Sequence, residues 1–337
     1  MTESGPPGFP ETGIVLPDTA DRTAADLLAF AERADRAGVD SVWAWEGWGY
    51  NPFALLGRAA ERTDCWLGTA ICNGFARSPA TLAMGAATLA DATDGRFVLG
   101  IGTSTPSVVE ELHGKPFDQP LRRLRETFEI LDRALAGKPV TYDGRVFDLS
   151  GYELQHSGAG EGVPVWNAAL GRTNVAMTLE YADGLLPNLL PFEAIPDAVT
   201  AGAERAGLAD PDVHVAPMVP TCVDADEAAA RRVLARHIAY YVGAVEFYNA
   251  VVSRHGYAET ASAVADAWEA GDREAAADAV TPELMDAVGV AGTPTDAREG
   301  FAELLAGPAD TVLASFPDGL DDEMVRAGID ALAAAAR

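Results

Sequence analysis

Lysine is almost missing from this chain of 337 residues: only Lys115 and Lys138 occur, and 51 acidic against 24 basic residues leave a net charge of −27. So negative a surface repels phosphate backbones and anionic headgroups, which argues against nucleic acid or membrane as partners. Cysteine is scarce too. Cys65, Cys72 and Cys222 are too few and too dispersed for a disulfide framework or a metal cluster, so they read as small buried thiols. The histidines, His113, His156, His214, His237 and His255, show no metal-ligand spacing, and no metal is expected. The sequence also lacks an apolar run long enough to span a bilayer, a Walker A loop and a G-x-S-x-G elbow, which removes the membrane, NTPase and commonest hydrolase readings. Its start, MTESGPPGFPETG, is polar and proline-rich, unlike a signal peptide, so the cytoplasm is the expected location.

What is present is an alternation of short apolar strands and amphipathic helices. Strands are expected near Gly13 to Leu16, Ser41 to Ala44, Trp66 to Cys72, Phe97 to Ile101, Val165 to Ala169, Gly184 to Pro187, Val213 to Val219 and Thr311 to Phe316. Helices fall between them near Ala24 to Ala37, Pro52 to Arg62, Pro79 to Thr93, Leu121 to Ala136, Arg172 to Tyr181, Pro196 to Ala206 and Ala225 to Tyr241, and Asp321 to Ala335 closes the chain. Eight such units predict an α/β fold, a (β/α)8 TIM barrel forming one domain over residues 1–337, with its active site at the carboxyl ends of the strands. An open doubly wound sheet competes, but no G-x-G-x-x-G follows the first strand. Two insertions interrupt the pattern. Residues 140–154 carry Asp143-Gly144 between strand-like pairs, a hairpin signal. Residues 242–291 read as a helical insertion, either a lid over the site or extra packing.

The most informative stretch is Trp66 to Thr105, one strand-helix-strand unit. Ser78 is placed to cap the helix, Pro79 suits its first position, and Asp94-Gly95 stops it. With Gly13-Ile14-Val15-Leu16, Ser41-Val42-Trp43, Asn51-Pro52-Phe53, Asn167-Ala168-Ala169 and Ala182-Asp183-Gly184, this stretch resembles the luciferase-like monooxygenase superfamily. The resemblance is to the branch that uses a deazaflavin, coenzyme F420, and within it to methylenetetrahydromethanopterin reductases of halophilic archaeal type. FMN is the alternative cofactor.

Four segments carry the candidate site. At Ala70, Ile71, Cys72 and Asn73 the resemblance implies a non-prolyl cis peptide, Ala70-Ile71, forming a bulge behind the central ring of the cofactor. The small residues of the turn Gly100-Ile101-Gly102-Thr103-Ser104-Thr105, with Gly102, Thr103 and Ser104 as the cofactor contacts, allow backbone amides and hydroxyls to approach an anionic ligand. Relatives that oxidise glucose 6-phosphate carry a glutamate where this chain has Thr105, which argues against that activity. Ala169, Gly171, Arg172 and Thr173 form a phosphate site at a helix start, where the family places the cofactor phosphate. After the second strand, Trp45, Trp48 and Tyr50 are expected as an aromatic substrate wall. Glu46 is the catalytic candidate there, as a buried acid with a raised pKa or a hydrogen-bond partner. Relatives usually follow this acid with a histidine; here Gly47 stands in its place.

The resemblance implies an oxidoreductase that moves a hydride between the deazaflavin and a small molecule, first a methylene-tetrahydropterin or folate, in a homodimer or homotetramer. An FMN-dependent monooxygenase and a cofactor-storage protein without turnover are the competing classes. Scarce lysine with abundant Asp and Glu indicates adaptation to high salt, although a GC-rich genome also yields acidic proteins. Melting temperature should therefore rise steeply from low to molar potassium chloride as screening relieves carboxylate repulsion; a flat or falling series would defeat the halophile reading.

Overall fold

The structure, a computed structural model, describes residues 8–337; the opening residues 1–7 of the proline-rich start lie outside them. Its strands are β1 (Thr12–Val15), β2 (Ser41–Ala44), β3 (Trp66–Thr69), β4 (Cys72–Asn73), β5 (Phe97–Gly102), β6 (Val140–Asp143), β7 (Asp148–Tyr152), β8 (Val165–Asn167), β9 (Gly184–Leu185), β10 (His214–Val215), β11 (Met218–Val223), β12 (Val290–Gly292) and β13 (Val312–Ser315). Parallel pairing runs β10-β9-β8-β5-β3-β2-β1-β13-β11. β10 and β11 are two pieces of one strand broken at Ala216-Pro217: β10 pairs with β9, β11 with β13, and a bridge from Asn188 to Met218 closes the ring. The result is the expected (β/α)8 barrel.

Local chemistry sets the helix ends. Ser78 caps Pro79–Ala92 by accepting from the Thr81 amide, and Asp94 and Gly95 leave the helix with positive φ, as the sequence predicts. Thr293 and Asp296 form a reciprocal capping box on Pro294–Leu305, a helix the sequence reading passed over although its T-x-x-D start is legible. That helix follows β12, which begins inside the stretch read as purely helical and ends one residue past it. The other elements wholly within it are the helical segments Glu246–Val252, Ser253–Tyr257, Ala258–Glu269, Arg273–Asp278 and Pro282–Val288. The β6-β7 hairpin is held by Glu126, whose buried carboxylate accepts from the amides of Arg145, Val146 and Phe147 at 2.9 to 3.0 Å. Burial pushes that carboxyl up, but the three amides outweigh it and leave its pKa below the ordinary value.

The barrel interior is filled by tryptophans set beside glycines. Trp43 lies in register with Gly68, and Trp166 with Gly100 and Gly184. A Cβ on Gly68 would fall 2.3 Å from the Trp43 ring, and one on Gly184 2.5 Å from Trp166, so each indole needs its glycine neighbour. The two rings stack at 5.2 Å, and Phe9, Trp66 and His214 pack below them. Large beside small is how a narrow barrel fills its core without voids. The opposite face of the sheet packs Leu67, Phe97, Leu99 and Ile101 against the surrounding helices.

The third strand is not continuous, contrary to the expectation of Trp66 to Cys72 as one run. Regular β3-β5 pairing ends at Gly68 and Val98, and β4 resumes it opposite Ile101 and Gly102. Between the two pieces the Ala70-Ile71 peptide is cis. The fully buried Thr69 hydroxyl fills the gap, donating to the Gly100 carbonyl at 2.8 Å and accepting from the Gly100 amide at 2.9 Å. Thr69→Val strips both backbone groups of their partner. It should cost about 2 to 4 kcal/mol of unfolding free energy, with Thr69→Ser recovering most of it; denaturant melts of the two variants check this.

Candidate active site

The carboxyl ends of the barrel strands bring the predicted segments together. Trp43 and Trp45 alternate onto the same side of their strand, so the Trp45 indole packs against the barrel-interior cluster with Ile71, Ala168 and Met218, all four partly exposed. These make an apolar floor at the mouth. The three-residue aromatic wall expected here does not form. The chain turns after Glu46, and Trp48 and Tyr50 are carried out to solvent, 63% and 42% exposed. Gly47 has no room for a side chain, because its Cβ would lie 2.0 Å from the Trp45 ring.

Glu46 is committed to partners. Its amide donates to the Ile71 carbonyl at 3.0 Å, and its carboxylate accepts from the Asn73 amide at 2.9 Å and from Arg77 Nε at 2.8 Å. Arg77 Nη2 closes the pair at 2.6 Å, with both side chains at most 15% exposed. Both carboxylate oxygens are thus engaged, and the geometry suits a positioning role better than the acid role expected for Glu46: it ties the second strand's end to the cis-peptide segment.

Around that segment, Cys72 points into the layer between sheet and helices and offers a ligand only its backbone. Asn73 is fully buried; its Oδ1 accepts from the Phe75 amide at 2.8 Å, while its Nδ2 has no partner among the described residues. An amide donor of this kind, buried without an acceptor, is a place where a ligand carbonyl fits. Gly102 lies against Ile71 and Ala168, its Cβ position 3.1 to 3.4 Å from their side chains, and Ser104 follows in the left-handed region at φ 58°. Ala70, Ile71, Gly102, Thr103 and Ser104 are thus contiguous around the third and fourth strand ends. Gly100, read as part of the same small-residue turn, serves the barrel instead: its Cβ would sit 1.9 Å from the Thr69 carbonyl oxygen.

At the fifth strand, helix Arg172–Tyr181 begins at Gly171 with no side-chain cap, which leaves its first amides open to an anion. Ala169 contributes backbone only, since its side chain is buried against Val175 and Leu185, and Thr173 is exposed at the helix start. Arg172 departs from expectation. Its guanidinium donates to the Ala201 carbonyl at 2.9 Å and pairs with Glu204 at 3.2 Å, so the helix-start amides and not this side chain are left open. The helical insertion reaches this place: the Phe247 ring lies 3.9 Å from where a Gly171 Cβ would stand, and Tyr248 accepts from Asn188 Nδ2 at 3.1 Å.

Two groups escaped the sequence reading. Arg77 gives no signal beyond being a lone cation in its loop. Asp18 follows the first strand's apolar run as Glu46 follows the second's, and the same rule would have found it. Its Oδ2 accepts from the Tyr50 amide at 2.6 Å; burial pushes its pKa above the ordinary carboxylate value, and that amide only partly offsets the rise. Among the described residues no His, Cys, Asp and Glu group is arranged to hold a metal, and no helix is long and apolar enough to cross a membrane.

The model of the family described as luciferase-like monooxygenase matches residues 10–311. The chain is 29% identical over 306 residues to a 5,10-methylenetetrahydromethanopterin reductase of Archaeoglobus fulgidus, covering 88% of this chain and 91% of that one. It is 31% identical over 303 residues, 82% and 86% of the two chains, to a Mycobacterium tuberculosis protein named for coenzyme F420-dependent oxidoreductase activity. The solved coenzyme F420-dependent tetrahydromethanopterin reductase of Methanopyrus kandleri shares the fold, with a TM-score of 0.78 at 24% identity over 97% and 98% of the chains.

The Glu46–Arg77 pair carries the prediction of this section. Glu46→Gln leaves a partly buried guanidinium without its counter-ion and should lower unfolding free energy by about 2 kcal/mol, less than a fully buried pair would lose. Glu46→Gln with Arg77→Met should regain most of it. A single variant that melts with the parent would show that the pair does not hold this loop.

Proposed function

Because the chain belongs to the luciferase-like monooxygenase family, we propose that it is a coenzyme F420-dependent oxidoreductase moving a hydride between the deazaflavin and a small organic substrate. A methylene-tetrahydropterin or folate is the substrate we put first, in keeping with the names of its relatives. The observation that carries the cofactor reading is the unpartnered Asn73 Nδ2, buried beside the Ala70-Ile71 bond, with the uncapped start of helix Arg172–Tyr181 on the same rim. One offers a donor for a ring carbonyl, the other an anion site for a phosphate.

When bound, the deazaflavin supplies a two-electron hydride carrier. The protein's share is position. Ile71, Ala168, Met218 and Trp45 form the floor, Gly102 to Ser104 let the backbone come close, and Phe247 flanks the phosphate end. Hydride transfer depends on holding two carbons in register and keeping water out, and an apolar floor does both. We further propose cytoplasmic location and a homo-oligomeric state.

Competitive titration tests the cofactor. Deazaflavin should bind more tightly than FMN, read from the fluorescence of each, and reduced deazaflavin should support substrate turnover. Tighter binding of FMN, or turnover with FMN alone, would move the chain to the monooxygenases; binding without turnover of any acceptor would make it a carrier.

A further inference from the structure

The carboxyl groups on the barrel's carboxyl-end loops are mostly spoken for. Glu46 is clamped by Arg77, Glu110 is exposed and accepts from the Phe117 amide at 3.2 Å, and Asp321 caps helix Asp322–Ala335. Asp18 differs. It is partly buried, and among the described residues only its Oδ2 has a partner and no cation pairs with it. On its own loop Arg22 is turned away, donating to the Leu320 carbonyl at 2.6 Å and pairing with Asp322 at 3.4 Å, and Asp21 accepts from Thr19. From the second-strand loop come Tyr50, through its amide, and Glu46, already neutralised by Arg77. Gly49 presses its backbone against the carboxyl so closely that a Cβ there would lie 2.0 Å from Oδ2. The Asp18 carboxyl is therefore packed against the loop that starts with Trp45, the residue at the floor of the mouth.

We propose that Asp18 is the acid–base group of this site, passing a proton to the substrate heteroatom in reduction and taking one back in oxidation. This rests on the oxidoreductase reading above. With reduced deazaflavin bound, the substrate carbon would take its hydride and form a C–H bond. The electron pair of the broken carbon–heteroatom bond moves onto the heteroatom, which takes the Asp18 proton. The carboxylate regains a proton from solvent, matching the proton released as the deazaflavin is oxidised. An acid working near neutrality must hold its proton above the usual carboxylate range, and burial shifts Asp18 in that direction.

The test uses the full chain in molar potassium chloride, with Asp18→Asn and Asp18→Glu. Asp18→Asn should lower single-turnover oxidation of reduced deazaflavin by methylene-tetrahydrofolate by about 10²-fold or more, while deazaflavin affinity stays within twofold of the parent. The parent rate should fall as pH rises through the Asp18 pKa. That limb should vanish in Asp18→Asn and return in Asp18→Glu with part of the rate. Independently of turnover, tryptophan fluorescence of the parent should show a pH step, reported by Trp45 and Trp48, that Asp18→Asn abolishes. A parent that transfers hydride while Asp18→Asn keeps its rate and limb, or a fluorescence step that survives in Asp18→Asn, overturns the assignment alone. A parent that binds deazaflavin and reduces no acceptor overturns the oxidoreductase reading and the assignment with it.

Discussion

Everything at the mouth of this barrel hangs on one side-chain substitution for backbone pairing. Where the third strand leaves its neighbour, the Thr69 hydroxyl satisfies both the amide and the carbonyl of Gly100. Without it two buried backbone groups would face apolar surroundings, a cost of several kcal/mol. With it the chain is free to bulge through Ala70-Ile71 and return to the sheet at Cys72. The bulge is then held from the other side: the Glu46 amide donates to the Ile71 carbonyl and its carboxylate accepts from the Asn73 amide. The segment is thus fixed by neighbours on both flanks, the rigidity that the proposed hydride transfer would need.

A second constraint is volume. Trp43 and Trp166 occupy the barrel axis, and Phe9 and His214 continue the aromatic column toward the amino-terminal end. Each indole needs space that only glycine leaves on the adjacent strand. The filled lower barrel has a functional consequence, because a ligand can enter only from the carboxyl-end face. The floor at that face is Trp45 with Ile71, Ala168 and Met218.

Much of this was legible in the sequence. The Ser78-Pro79 start and the Asp94-Gly95 stop are local chemistry, and both stand where the residues say. Strand positions were legible as apolar runs, but their continuity was not. Hydropathy does not distinguish a strand interrupted after Thr69, or at Ala216-Pro217, from an unbroken one. The same limit misread Gly100 as ligand-facing: Gly-x-Gly has one signature whether the missing side chain makes room for a phosphate or for a carbonyl oxygen. Side-chain direction was the other blind spot. Trp48 and Tyr50 follow Trp45 closely in the chain, yet the turn at Gly47 sends them to solvent, and Arg172 folds back toward Glu204. Such outcomes depend on partners 30 or so residues away, which a local reading does not contain.

The acidic surface and the anion site proposed at the start of helix Arg172–Tyr181 are not in conflict once range is considered. Repulsion between a net charge of −27 and an anionic cofactor acts at long range, and at molar salt it is screened within about 3 Å. The open amides at the start of helix Arg172–Tyr181 act at contact, where a hydrogen bond is made and salt screens little. No guanidinium needs to be added: Arg172 is turned outward, and Arg77 is held by Glu46 inside the rim. A site that attracts through backbone dipoles instead of mobile cations loses little affinity as salt rises. The same screening leaves short-range burial, not net charge, to set the proton affinity of a carboxyl such as Asp18.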